Sequence, residues 1–119
     1  DLNAEIAAVI LERAGLKVER VEDGLQCISR ITEMPAGTYD IILMDIQMPK
    51  MDGYKATQTI RNLSDQEKAC IPIIAMTANA FEEDKRAAIA AGMNGHIAKP
   101  IQVDKLLSIL AEMIRQQEN

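Results

Sequence analysis

An uninterrupted apolar run, Ile41-Ile42-Leu43-Met44, stops abruptly at the charge of Asp45. A strand with one wet face alternates apolar and polar residues, whereas a continuous run of this length belongs to a strand covered on both sides, as in parallel sheets held between helices. The residues around it alternate accordingly. Leu2, Ile6, Val9, Ile10 and Ala14 recur at helical spacing, and Gly15 stands where such a helix stops. Leu16 and Val18 then alternate with Lys17 and Glu19, which predicts a short edge strand closing near the turn residues Asp23 and Gly24. A helix over about 25–34 places Cys27, Ile28 and Ile31 on one face ahead of the turn Pro35-Ala36-Gly37.

The same unit repeats beyond Asp45. A loop through Met48, Pro49, Lys50, Met51, Asp52 and Gly53 leads to a helix from Tyr54 to Asn62, then a strand from Ile71 to Met76. A helix from Phe81 to Ala91 stops at Gly92, and a short strand from His96 to Ala98 runs into Lys99 and Pro100. Val103, Leu106, Leu107, Leu110 and Ile114 stripe a last helix, followed by a polar tail from Gln116 to Asn119. Strictly alternating strands and helices predict an α/β domain, a doubly wound parallel sheet with helices on both faces and right-handed crossovers. Ligands of such sheets bind beyond the carboxyl ends of the strands. Asp45, Thr77 and Lys99 all fall at such ends.

At 119 residues and 48% hydrophobic content the chain makes one domain, 1–119, and with 3% aromatics its core is aliphatic. A formal net charge of -5 disfavours nucleic acid, whose binding rests on neutralising phosphates with Lys and Arg. Cys27 and Cys70 have neither disulfide-framework nor zinc-ligand spacing, which points to a reducing, cytoplasmic setting. No apolar run approaches the roughly 18–20 residues that span a bilayer, so no direct membrane insertion is expected, although a membrane-anchored parent protein is compatible with the sequence.

An aspartate on a rigid strand end becomes a nucleophile toward phosphorus when neighbouring cations offset its charge and that of the phosphoryl group. Lys99 offers an ammonium, Thr77 a hydroxyl hydrogen bond, and a magnesium ion can bridge carboxylate and phosphoryl oxygens. Singly these residues mean little, since a strand-end Asp is commonly a turn or capping residue, a Thr a cap, and a Lys a solvated charge. The ordered combination carries the signal. The segments Leu43-Met44-Asp45-Ile46-Gln47-Met48-Pro49, Met51-Asp52-Gly53, Ala75-Met76-Thr77-Ala78-Asn79-Ala80 and Lys99-Pro100 resemble, in order and spacing, the signature segments of response-regulator receiver domains of two-component signalling.

That resemblance implies a five-stranded sheet of order 2-1-3-4-5, flavodoxin-like, with Asp45 as phosphoacceptor, Thr77 as switching hydroxyl and Lys99 as the phosphoryl-contacting lysine. It implies Mg2+ held by Asp45 and the backbone carbonyl of Gln47, structural roles for Pro49, Gly53 and Pro100, and a cis peptide ahead of Pro100. His96 takes the place of the family's switching aromatic. The implied partner is a histidine kinase or histidine phosphotransfer domain that donates from a phosphohistidine, and the receiver promotes its own phosphotransfer and dephosphorylation. The wording of Asp45–Gly53, Thr77–Asp84 and Ala91–Ile101 is most like receivers of hybrid sensor histidine kinases.

The chain departs from the family pattern at its amino end. Asp1-Leu2-Asn3 aligns just past the acidic pair that normally ends the first strand, so Asp1 is not expected to bind metal, and both pair and strand are missing from residues 1–119. A sheet without that central strand has unpaired edges, which predicts completion by a longer amino end or by a neighbouring chain through self-association or strand exchange. Without the acids, magnesium binding and phosphorylation are expected to be impaired. Two other readings follow: a phosphorylation-independent interaction module of the same fold, and a phosphohydrolase of the haloacid-dehalogenase type. The latter wants an acid two residues after its nucleophile, where this chain has Gln47.

Overall fold

The computed structural model describes the backbone of residues 2–21, 23–46, 51–78, 82–99 and 101–118, and the side chains of these except 2–7, 114 and 116–118. Among the described residues the order is α1 (Leu2–Arg13), α2 (Gly24–Glu33), β1 (Ile42–Asp45), α3 (Gly53–Arg61), α4 (Gln66–Ala69), β2 (Ile73–Thr77), α5 (Glu82–Ala91), β3 (Gly95–Ala98) and α6 (Val103–Glu118). The three strands are parallel in the order β1-β2-β3. Asp45 lies level with Met76, and Thr77 with Ala98.

The continuous apolar strands are buried for the reason their sequence suggests. Along β2, Ile73 and Ala75 enter one core cluster with Met44, Ile31, Ala56, Ile60 and Ala88. Ile74 and Met76 enter the other, with Leu11, Ile97, Leu106 and Leu110. Successive strand side chains point to opposite faces, so helices α2, α3 and α5 cover one face and α1 and α6 the other. Removing either Ile73 or Ile74, both fully buried, costs about 2–5 kcal/mol as an alanine cavity.

Gly15 and Gly92 end their helices as expected, each at positive φ (92° and 107°). In both, the next residue's N–H reaches back across the last turn, Leu16 to the Leu11 carbonyl and Met93 to the Ala88 carbonyl, each at 3.0 Å. This left-handed stop satisfies carbonyls that a helix end leaves open.

Three expectations change and one helix is new. The segment Leu16–Glu19 carries no sheet ladder, because a strand needs a paired neighbour and none lies beside it among the described residues; Val18 instead packs on the α1/α6 cluster, and Glu19 pairs with Arg30 and accepts from the Tyr39 hydroxyl. Asp23 is the N-cap of α2, accepting from the Gln26 N–H at 2.9 Å, and Gly24 is the first helical residue rather than a strand-ending turn. Asp65 caps the extra short helix α4, followed by the helix formers Gln66, Glu67, Lys68 and Ala69. Finally, α6 runs through the polar tail to Glu118.

Candidate functional site

The carboxyl ends of β1, β2 and β3 present Asp45, Thr77 and, one residue past β3, Lys99. Asp45 and Lys99 belong to strands on either side of β2, roughly 9–10 Å apart at the usual strand spacing. Only a long side chain closes that gap, and Lys99 does: its Nζ lies 2.7 Å from Asp45 Oδ2. Their side chains are only 20% and 18% exposed, so the ion pair is screened far less than a surface pair. Strand alternation explains the meeting, since Asp45 is level with Met76 and Ile97, and Lys99 stands two residues beyond Ile97 on the same side.

Thr77 is tied to the pair through backbone: the Lys99 N–H donates to the Thr77 carbonyl at 2.7 Å. Its side chain is 3% exposed, and its Oγ1 has no hydrogen-bond partner. A buried hydroxyl in that condition forgoes about 1–3 kcal/mol. Carboxylate and ammonium are thus brought into contact, and the hydroxyl is brought to the same sheet edge with its hydrogen-bonding capacity unspent.

The loop behind Asp45 is held by close backbone approach. The Gly53 N–H donates to the Ile46 carbonyl at 2.9 Å, and a Cβ on Gly53 would lie 2.6 Å from the Asp45 carbonyl oxygen. Any side chain there would displace the strand end that carries the carboxylate. Asp52 caps α3 by accepting from the Lys55 N–H at 2.8 Å. Beside it, burial and the negative charges of Asp84 and Asp52 push the Tyr54 phenol above its ordinary pKa, so α3 and the first turn of α5 share an acidic rim.

His96 stands on β3, half-buried and level with Ala75, lining a shallow hollow of about 300 Å³ with Ser108, Ile109, Glu112 and Met113 of α6. The expectations for Asp1, Gln47, Pro49 and Pro100, including the cis peptide, fall outside the described residues. Magnesium is commonly held by one or two carboxylates, with water and phosphoryl oxygens completing its shell. The partly exposed Asp45 carboxylate fits that minimum; among the described residues no three His, Cys, Asp or Glu side chains gather as a richer metal site. Both cysteines are unpaired, and burial pushes the Cys27 thiol up to about 11, which makes it inert.

Sequence reasoning missed Arg61, whose guanidinium sits at the opposite end of the sheet. Its Nε donates to the Gly92 carbonyl at 2.8 Å, Nη1 to the Ala69 and Ile71 carbonyls at 2.7 Å each, and Nη2 to Asn94 Oδ1 at 2.7 Å. Burial lowers its pKa below the ordinary arginine value. Nothing in the letters marks it, because a lone Arg in a last helical turn reads as a solvated charge.

Comparison with known proteins places this geometry. The signal transduction histidine-protein kinase BarA of Escherichia coli strain K12 is 39% identical over 108 residues, which are 91% of this chain and 11% of that kinase. The chain therefore spans only a small part of the curated relative it matches. The receiver domain of the sensor histidine kinase PA1611 of Pseudomonas aeruginosa PAO1, solved with a magnesium ion coordinated in its active-site cleft, superposes with a TM-score of 0.83 at 37% identity, covering 95% of this chain and 88% of that one. The receiver domain of the Saccharomyces cerevisiae response regulator Ssk1, solved with the histidine phosphotransfer protein Ypd1, gives a TM-score of 0.87 at 26% identity, covering 98% and 83%. Residues 1–111 match the family described as the response regulator receiver domain, and so the ion pair that Lys99 makes across β2 sits in a chain that belongs to that family.

Proposed function

We propose that Asp45 is the phosphoacceptor of a two-component phosphorelay, receiving its phosphoryl group from a phosphohistidine of a histidine kinase or phosphotransfer domain. The phosphorus–nitrogen bond of the donor breaks as a phosphorus–oxygen bond forms to the Asp45 carboxylate, and the imidazole leaves as a neutral ring after taking up a proton. The acyl phosphate is later hydrolysed. The supporting observation is the 2.7 Å contact of Lys99 Nζ with Asp45 Oδ2, which stations a positive charge where the transferred phosphoryl oxygens develop theirs. When bound, magnesium supplies the charge neutralisation that lets a carboxylate approach a phosphoryl group, and Asp45 and the Gln47 backbone carbonyl are the residues that would hold it. The magnesium ion in the PA1611 receiver supports this reading.

In this reading Thr77 is the switch. Its unpartnered, buried hydroxyl gains a hydrogen bond when a phosphoryl oxygen arrives, and His96 follows it, altering the surface of α5, β3 and α6 that a partner senses. The domain comprises residues 1–119, and its sheet is five-stranded in the order 2-1-3-4-5. Within that sheet β1, β2 and β3 are the third to fifth strands and Leu16–Glu19 is the second, with the first lying along the outer edge of β1. The half-buried Ile41 and Leu43 and the outer edge of β1, without a ladder among the described residues, support this arrangement. No described helix is long and apolar enough to cross a membrane, and we place the domain in the cytoplasm on a parent sensor kinase.

The test is phosphorylation of the full-length protein with acetyl phosphate and magnesium, followed by mass spectrometry. One phosphoryl group on the wild type, absent from Asp45→Asn, is the expected result. No uptake by the wild type would instead favour the phosphorylation-independent module, the reading supported by the lack of a three-acid cluster among the described residues.

A further inference from the structure

Helix α2 begins hard against the loop that follows the phosphoacceptor strand. Its first residue, Gly24, is buried, and a Cβ there would lie 2.9 Å from the Met51 carbonyl oxygen, 3.1 Å from Ala56 Cβ and 3.2 Å from Met51 Cβ. A backbone oxygen at 2.9 Å is closer than a Cβ tolerates, so the helix reaches this position only because residue 24 has no side chain. The helix is the firmly held partner. Asp23, 3% exposed, caps it by accepting from the Gln26 N–H at 2.9 Å, and Cys27 and Ile31 seat it in the cluster of Ala56 and Ile60. Met51, half-buried, packs against that same cluster. Two residues on, Gly53 makes the second close approach, where a Cβ would lie 2.6 Å from the Asp45 carbonyl oxygen and 2.9 Å from Ile46 Cα. A chain of tight contacts thus runs from Gly24 through Met51 and Gly53 to Asp45.

We propose that Gly24 is a positioning residue for phosphoryl transfer: by letting α2 press on Met51, it seats the Met51–Gly53 segment against the end of β1 and so sets where the Asp45 carboxylate stands relative to Lys99. A side chain at residue 24 has to push the Met51 backbone, and close-packed backbone passes such a displacement on rather than absorbing it. The Gly53 N–H bonded to the Ile46 carbonyl and the contact of Gly53 with Asp45 carry it to the strand end. In-line attack on phosphorus is sensitive to placement, a shift of about 1 Å costing up to about 10²-fold in rate. The inference rests on Asp45 being the phosphoacceptor, whereas its geometric half stands on the unloaded protein.

Two measurements on the full-length protein test it: the rate of phosphoryl uptake from acetyl phosphate with magnesium, per folded molecule, and amide hydrogen exchange without any phosphoryl donor. Gly24→Ala is expected to slow uptake about 10-fold. It should also speed exchange at Ile46 and Gly53 by about 10-fold while leaving Cys27–Ile31 and Ile97–Ala98 within about twofold. Gly37→Ala controls for a merely structural effect, since Gly37 has a φ of 86° and nothing within 4 Å of where its Cβ would stand. That change strains the chain away from Asp45, and uptake should stay within about twofold. Met51→Ala withdraws the loop's packing and leaves α2 untouched; it should slow uptake by a comparable factor, and it keeps the test open if the Gly24 variant unfolds. Uptake within about twofold of wild type in folded Gly24→Ala, or in Met51→Ala where the former does not fold, overturns the proposal, as does a uniform rise in exchange along the chain. A wild type that takes up no phosphoryl group marks failure of the Asp45 reading instead, and exchange at Ile46 and Gly53 then decides the positioning by itself.

Discussion

The two ends of the sheet are built to opposite specifications. At the carboxyl ends of the strands, an ammonium meets a carboxylate at 2.7 Å and the buried Thr77 hydroxyl has no hydrogen-bond partner. At the amino ends, the Arg61 guanidinium donates four hydrogen bonds at 2.7 to 2.8 Å, three to backbone carbonyls and one to Asn94 Oδ1, and Asn94 exchanges two with the Ile73 backbone. Unspent capacity is what allows a group to respond to an arriving charge; saturated capacity is what holds the responding elements to a frame. Reactivity and rigidity are therefore separated along the strand axis.

Arg61→Ala should have the largest effect on stability. It strands the Gly92, Ala69 and Ile71 carbonyls and removes one of the two donors to Asn94 Oδ1, and with hydrogen bonds to charged groups worth about 1.5–3 kcal/mol each, a loss of about 3 kcal/mol or more is expected from the urea midpoint. Phosphoryl uptake per folded molecule should stay within about twofold, because distant sites act independently. Lys99→Met should show the mirror image: a smaller stability change, with the rate of phosphoryl uptake down on the order of 10²–10³-fold as the cation opposing the developing charge is removed. If both variants damaged stability and uptake alike, the separation of the two ends would not hold. The smallest effect belongs to Thr77→Val, which removes a buried hydroxyl that has no partner and should raise stability by about 1 kcal/mol while abolishing the affinity difference between phosphorylated and unphosphorylated forms. A stability loss of that size would mean the hydroxyl is already bonded.

Much of this was legible in the letters because it depends on periodicity and on local backbone chemistry. The run ending at Asp45 implied a strand buried on both faces, and Met44 and Leu43 do enter opposite clusters. Gly15 and Gly92 marked helix stops because left-handed φ is costly for other residues, and both adopt it. The Leu16–Glu19 alternation has no ladder among the described residues, because a period of two describes one strand's faces and says nothing of which partner pairs with it. Asp23-Gly24 misled for a related reason: the same dipeptide serves a turn or a helix start, and the choice rests on whether an N–H three residues on is in reach. Arg61 left no trace at all. Its partners are 8 to 33 residues away in sequence.

By itself, the sequence determined the alternation of helices and strands, the three polar strand ends, and the family to which they belong, since each depends on residue type and spacing. Only the tertiary structure decided that Lys99 reaches across an intervening strand to Asp45, that the Thr77 hydroxyl is buried without a partner, and that Arg61 stitches α3 to the far ends of α4, β2 and α5. Those are distances between residues far apart in the chain, and they come into being only when the packed sheet sets its strands side by side.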